Sequence, residues 1–490
     1  MSIDPNLPVI VGVGQCSQRP DDPADALETI ALMEQAARVA ADDAGAPNLL
    51  ASLDLVSVVY GAWRYSDPGR LLARSFGADD ATTQLSFHGG NTPQAMVNSV
   101  ARSIQAGELG SALIVGGETI WSRRRQRAQG VDRKVTDAEV GEPDRRFGAD
   151  VTMSSEFEAS RGLEAPINFY PLFESAIRAD NGEGLDEHRT RISELWAGFN
   201  AVAVDNPHAW LRTPMTAEEI RDASPTNRMV GFPYTKALNS NWDLDQAAAL
   251  LVCSVGAAQA AGIPTERWVF PLAGTDAHDT PLVSNRVDLH SSPAIRFAGK
   301  RLFELSGVTI DDVGPVDVYS CFPSAVQIAC AELGLSLDRQ LTVTGGLPFA
   351  GGPLNNYVTH SIAAMCDVLR SGTDGPALVT ANGGYITKHA LGLYDTSPPE
   401  GGFVWADVQE EVDAAGSTPL DEGYAGPGTI EAYTVMHDKE GPTDTLAAIR
   451  TPDGARTWAR TDDRAVADAV LSAEAVGSAA AVEDTGRLRL

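Results

Sequence analysis

"GELGSALIV", residues 107–115, aligns without gaps on "GTDGPALVT", residues 372–380, at an offset of 265. Each is a short apolar run of the kind that forms a strand buried on both faces. A helical pattern precedes each run, "PQAMVNSVARSIQA" (93–106) and "NYVTHSIAAMCDVLRS" (356–371). A glycine pair precedes each helix, Gly89–Gly90 and Gly351–Gly352, and another follows each strand, Gly116–Gly117 and Gly383–Gly384. Upstream, "AADDAGAPNLLASLDLVSVVYGAW" (40–63) repeats the order of "FELSGVTIDDVGPVDVYSCF" (303–322), and setting Asp54 on Asp317 gives an offset of 263. "PVIVGVGQ" near residue 8 corresponds in the same way to "WVFPLAGT" near residue 268. One order of elements at nearly one offset predicts a duplicated chain.

Apolar strands alternating with amphipathic helices predict α/β halves with mainly parallel sheets covered by helices. The chain then divides into a first half (1–125), an inserted, charge-rich helical segment with the end of that half (126–267), a second half (268–395) and a tail (396–490). After "TSPPEGG" (396–402) the pattern alternates in "GTIEAYTVMH" and turns at Asp453–Gly454, which predicts a small β-domain, a barrel by its length.

The 490 residues carry a formal net charge of −29, which opposes general nucleic-acid binding and anionic membranes. Five scattered cysteines without a CxxC pair argue against a structural zinc site, and no metal is expected. No basic, apolar leader and no membrane-length apolar run is read, so a cytoplasmic protein is expected.

Two α/β halves with a helical insertion resemble the thiolase superfamily. "HGGNTPQAMVNSVARSIQAGELGSALIVGGET" is similar to that family's nucleophile segment and the strand behind it. "VDVYSCFPSAVQIACAELGL", "TGGLPFAGGPLNNYVTHSIA" and "LVTANGGYI" resemble the HDCF, GHP and CxG segments of the sterol-carrier-type branch. "DLDQAAALLVCS" (243–254) resembles the end of the loop domain, and "GPGTIEAYTVMH" (426–437) resembles the start of an OB-like module. The resemblance covers about residues 8–395 and is closest to the thiolase-like proteins of type 1, which carry an added C-terminal domain. It implies a duplicated five-layered αβαβα core, a helical loop domain and a small OB-like β-barrel.

Carried over residue by residue, the resemblance shows losses. The nucleophile position falls on Gly89, within one residue, and the GHP histidine on Gly352. The acid/base cysteine of CxG falls on Ala381 and the HDCF histidine on Tyr319. Glycine and alanine hold no acyl group and relay no proton, so ordinary thiolase chemistry is not expected. Main-chain N–H groups at Gly89 and Gly383 remain as oxyanion donors, with His88, Asn91, Asn382 and His389 as neighbouring polar groups. Asn355 and Asn356 lie in the same segments.

Three readings stay open. The first is a protein that binds CoA or an acyl-CoA thioester without turnover. The second is a carbon–carbon lyase that splits a side-chain aldol on a CoA thioester through Tyr319 and Tyr357, the latter displaced by one residue from the best match. The third is an acetyl-CoA acetyltransferase with an unrecognised nucleophile. The basic run "WSRRRQR" (121–127) offers Arg123, Arg124 and Arg125 to coenzyme A phosphates, or else forms a surface turn paired with acids. A monomer and a homodimer are both compatible with these features.

Overall fold

The computed structural model describes residues 3–132, 135–136, 140–373 and 375–490. The first two residues of the first half, part of the inserted segment and Asp374 of the second repeat copy lie outside the described residues.

Both halves build the same sheet. In the first, the strands lie in the order Pro8–Ser17, Asp245–Ser254, Ser111–Thr119, Leu55–Val58, Thr82–Ser86 and Arg145–Phe147. In the second, the order is Phe270–His278, Lys388–Asp395, Ala377–Gly383 and Val316–Asp317. The two copies of the opening repeat, Ser111–Thr119 and Ala377–Gly383, therefore take equivalent central places. The helices Thr92–Gln105 and Tyr357–Arg370 pack between the two sheets, and Thr29–Asp43 and Pro293–Ser306 cover the outer faces. This is a five-layered αβαβα core.

The sheets are mixed, which corrects the expectation of mainly parallel ones. Asp245–Ser254 and Lys388–Asp395 each run antiparallel to both neighbours. In the second half the chain turns between Gly383 and Lys388, and a link that short joins only antiparallel strands. In the first half the equivalent connection holds the inserted segment, with helices Pro166–Asp180 and Leu185–Asp205.

Beyond residue 395, the strand Val404–Asp407 adds parallel to Phe270–His278 and so belongs to the second sheet. The remaining tail forms a third sheet in the order Arg456–Thr461, Pro442–Arg450, Gly426–His437, Ala479–Val482 and Leu488–Arg489. Arg450 pairs with Arg456 across the turn expected at Asp453–Gly454. No ladder closes this sheet; a single bridge, Arg460 to Arg487, joins its edges. It is an open, curved sheet where a closed OB-like barrel was expected. No described helix is long and apolar enough to cross a membrane.

Candidate functional site

Four chain corners meet where the halves abut. Phe87–Asn91 links the strand Thr82–Ser86 to the helix Thr92–Gln105, and Val318–Phe322 leads into the helix Pro323–Leu333. The turn 384–387 and the loop 350–356 complete the set. The approach is close: a Cβ on Gly383 would lie 2.6 Å from Asn91 Oδ1 and 3.0 Å from the Gly90 nitrogen. Only glycine permits this contact between backbones.

Gly90, rather than Gly89, faces the space between the halves. A Cβ on Gly90 would lie 2.4 Å from the Tyr319 hydroxyl and 2.5 Å from the Asn382 carbonyl oxygen. A Cβ on Gly89 would instead strike Asn91 Oδ1 at 2.5 Å. The Tyr319 phenol thus stands where a side chain on residue 90 would begin. Its backbone N–H donates to Thr380 Oγ1 (2.9 Å), which fixes the residue on the strand end. Replacing Gly90 with alanine is expected to lower stability by about 1–3 kcal/mol, as overpacking of a filled site does. Urea denaturation checks this, and an unchanged midpoint contradicts it.

Tyr357 packs its ring edge-on against Tyr319, with centroids 5.5 Å apart. Its hydroxyl, however, donates to Asp317 Oδ1 (2.9 Å) and lies 2.7 Å from Thr344 Oγ1. Asp317 also accepts from Ser361, Thr342 and the Val343 N–H, so this buried carboxylate is fully solvated by the fold. Burial raises both phenols, Tyr357 further through the neighbouring Asp317 charge.

The other expected positions divide. Gly352 is turned toward the inserted segment: its N–H donates to the Asn241 carbonyl (2.8 Å), and its missing Cβ points at Ser240 Oγ. Ala381 is a buried strand residue paired with Ala390. The Gly89 N–H already donates to Asn355 Oδ1 (3.1 Å), which corrects its assignment as an open oxyanion donor. Asn355 also donates to the Tyr60 carbonyl (2.8 Å) and sits 3.3 Å from His88 Nδ1. Asn382 Nδ2 donates to the Tyr170 hydroxyl (3.2 Å) and lies 3.9 Å from Cys321 Sγ. Asn91 Oδ1, Asn382 Oδ1 and Asn356 Nδ2 are buried without a partner. His389 Nε2 stands 3.4 Å from Asp279 Oδ2.

The corner is nearly closed. The cavity bounded by Tyr319, Ala381, Asn382 and His389 measures about 10 Å³, the size of one water. Tyr170, stacked on Phe322 with centroids 4.3 Å apart, is part of what closes it. Burial pushes the Cys321 thiol up to about 12, so it is not a thiolate at neutral pH. Among the described residues no group of three or more His, Cys, Asp or Glu is placed to hold a metal ion.

Arg123, Arg124 and Arg125 do not converge. Arg123 pairs with Glu118 (3.0 Å), Arg124 with Asp243 (2.7 Å), and Arg125 donates to the Pro20 and Asp21 carbonyls. Successive residues on one helix point about 100° apart, so three in a row cannot face one phosphate. Asp144 and Glu142, the acids expected to pair with this run, instead meet Arg70 and Arg146.

Sequence reading missed Lys388 and Tyr170. Lys388 is 6% exposed and donates to the His88 carbonyl (3.0 Å). A lysine opening the apolar run "KHALGLYD" just after a glycine pair was the available signal. Tyr170 lies on a helix far away in sequence, and no local pattern marks it.

Paired halves of this topology, with their helix starts and strand ends meeting at one corner, define the thiolase fold. The chain belongs to the SCP2-thiolase-like proteins of type 1. A monomeric SCP2-thiolase-like protein type 1 from Mycobacterium smegmatis is 32% identical over 100% of both chains, with a TM-score of 0.86. Residues 407–487 match the thiolase-like protein type 1 additional C-terminal domain. The Ltp2–ChsH2(DUF35) aldolase is 18% identical over 79% of this chain and 98% of its own, with a TM-score of 0.58. The dimeric peroxisomal thiolase of Saccharomyces cerevisiae is 15% identical over 81% of this chain and 99% of its own, with a TM-score of 0.56. The last two likenesses concern the fold alone.

Proposed function

We propose that this protein binds a CoA thioester at the junction of its halves and does not carry out thiolase turnover. The observation that carries this reading is the Tyr319 hydroxyl in the place of a nucleophile's Cβ at Gly90. The thiols support it: burial raises all five, Cys16 to about 11 and the others to about 12. An acyltransferase with a cysteine nucleophile therefore has no thiolate to use. The case for a thioester rests on the shared fold, since one structure of that fold is an acetyl-CoA acetyltransferase from Syntrophomonas wolfei. The Gly90 and Gly383 N–H groups are the donors for its carbonyl, because Asn355 occupies that of Gly89. Five free cysteines favour a reducing compartment such as the cytoplasm. The strand Arg145–Phe147 covers the edge of Thr82–Ser86, which favours a monomer.

Acetyl-CoA at a hundredfold excess over its dissociation constant is expected to stabilise the fold by about 2.7 kcal/mol. Thermal shift measures this, and mass spectrometry is expected to find neither acetoacetyl-CoA nor an acylated cysteine. No thermal shift, or an acyl adduct, overturns the reading. A lyase reading is favoured by one observation, the phenol of Tyr319 at the corner. Under it, Tyr319→Phe abolishes cleavage of a hydroxyacyl-CoA while binding persists.

A further inference from the structure

A second cleft, of about 240 Å³, opens on the other side of the Phe87–Asn91 corner. Its walls come from both halves: one face of the helix Thr92–Gln105, the end of Phe270–His278, and Trp405 on the added edge strand. Neither Gly90, Tyr319 nor Asn382 lines it.

Its polar end is cationic in a strongly acidic chain. Lys388 lines it and is 94% buried by its 6% exposure, yet among the described residues its ammonium forms no ion pair. One bond, to the His88 carbonyl, leaves two of its three donors. Asp150 acts on it from a distance without forming an ion pair, so burial still disfavours the bare ammonium, and an anion from outside offsets that. Beside it is the N-terminus of the 14-residue helix Thr92–Gln105, whose N-cap Asn91 makes no side-chain cap. Asn91 is 6% exposed and lines the cleft, while its Oδ1 is turned to Gly89 and Gly383 on the other side of the corner.

Among the described residues, Asp276 is the one acid that lines the cleft. It accepts from Trp405 Nε1 (2.6 Å) and Asn98 Nδ2 (3.1 Å), and burial pushes it up to about 6. Arg102 lies flat over the Trp405 ring, 3.8 Å from its centroid. Phe87, Phe147 and Ala95 supply apolar wall, with His88, His278, Thr92 and Ser99 as further polar lining. The volume falls below the roughly 300–1,000 Å³ of sites for drug-sized ligands and suits a smaller molecule.

We propose that this cleft binds a small organic carboxylate, with the anionic group against Lys388 and the Thr92–Gln105 helix N-terminus and the apolar body between Phe87, Phe147 and Trp405. A monoanion matches one ammonium and one helix end, and the apolar walls select against a bare inorganic ion.

Calorimetric titration of the full chain with benzoate tests this. Saturable binding is expected, weakened more than tenfold in Lys388→Met and retained in Lys388→Arg. Ala95→Phe, which fills the cleft from the helix face and keeps the lysine, is expected to abolish binding if Lys388→Met fails to fold. No binding by the parent, undiminished binding in Ala95→Phe, or inorganic phosphate binding as tightly as benzoate each overturns the proposal. Acetyl-CoA binding is measured separately on the same variants, so loss of benzoate binding in Ala95→Phe with acetyl-CoA binding unchanged separates this proposal from the thioester reading.

Discussion

Replacing Arg456 with methionine is expected to cost about 3–5 kcal/mol, the scale of breaking a buried ion pair from one side. Arg456 is fully buried on the third sheet. Its guanidinium donates to both Glu431 carboxylate oxygens (2.7 and 2.6 Å) and to the carbonyls of Ser284 and Arg286 (2.8 and 2.7 Å). Glu431 belongs to the added domain, and residues 283–286 to the second half. The same short segment receives Trp458 Nε1 at Ser284 Oγ (2.7 Å), and Ser284 donates on to Glu158 of the inserted segment (2.6 Å). The arginine ties the tail to the second half, and Ser284 extends the network to the inserted segment. Methionine matches its length but satisfies none of these acceptors; Arg450 still reaches Glu431 Oε1 (2.6 Å), while Glu431 Oε2 and the two carbonyls lose the guanidinium. A lower denaturation midpoint and early proteolysis within 396–490 are the expected readouts. A midpoint equal to that of the parent contradicts the buttressing role.

His188→Ala is expected to have an effect of similar size, about 3–5 kcal/mol, for a related reason. His188 is buried between two carboxylates, with Nε2 2.6 Å from Glu174 and Nδ1 2.5 Å from Glu183. Arg191 joins Glu183 (2.7 Å) and Gln327 (2.8 Å), while Gln327 and Tyr234 both donate to Glu174. This network fastens the helices Pro166–Asp180 and Leu185–Asp205 to the helix Pro323–Leu333 that follows the Tyr319 corner. Burial tends to raise Glu174, but bonds from His188, Tyr234 and Gln327 outweigh it and hold the carboxyl below its usual range. Glu183 is lowered in the same way by Arg191 and His188 against its own burial.

The sign follows from linkage. A carboxyl depressed in the folded state contributes stability above its unfolded pKa, about 4.3 for glutamate, and loses it as pH falls through the folded value. The parent should thus resist acid to below that range. The alanine variant should begin to unfold at higher pH, because the ring that depresses both glutamates is gone. Circular dichroism during acid titration measures the shift. Coincident acid transitions would show that the network does not hold these helices.

The duplication was legible because strand and helix periods survive in the apolar residues, whatever the polar ones do. "GELGSALIV" and "GTDGPALVT" take equivalent central strands because each buries both faces and so admits only apolar residues. That glycine and alanine stand at Gly89–Gly90, Gly352 and Ala381 was equally readable. Strand direction was not: an apolar strand reads the same either way, and the antiparallel returns depend on connections. The open third sheet escaped for a related reason, since closure is set by register between edges rather than by any one strand's pattern.

What the residues alone determined is the repeated architecture and the loss of the thiolase side chains, since both follow from residue type at a position. What only the tertiary structure decided is which atoms face one another. Tyr319 enters the place left by Gly90, Asn355 takes the Gly89 N–H, and Lys388 is buried in a separate cleft. Those pairings join residues as many as 300 positions apart, as His88 and Lys388 show. Contacts of that reach are set by how the two sheets pack, and no local spacing encodes them.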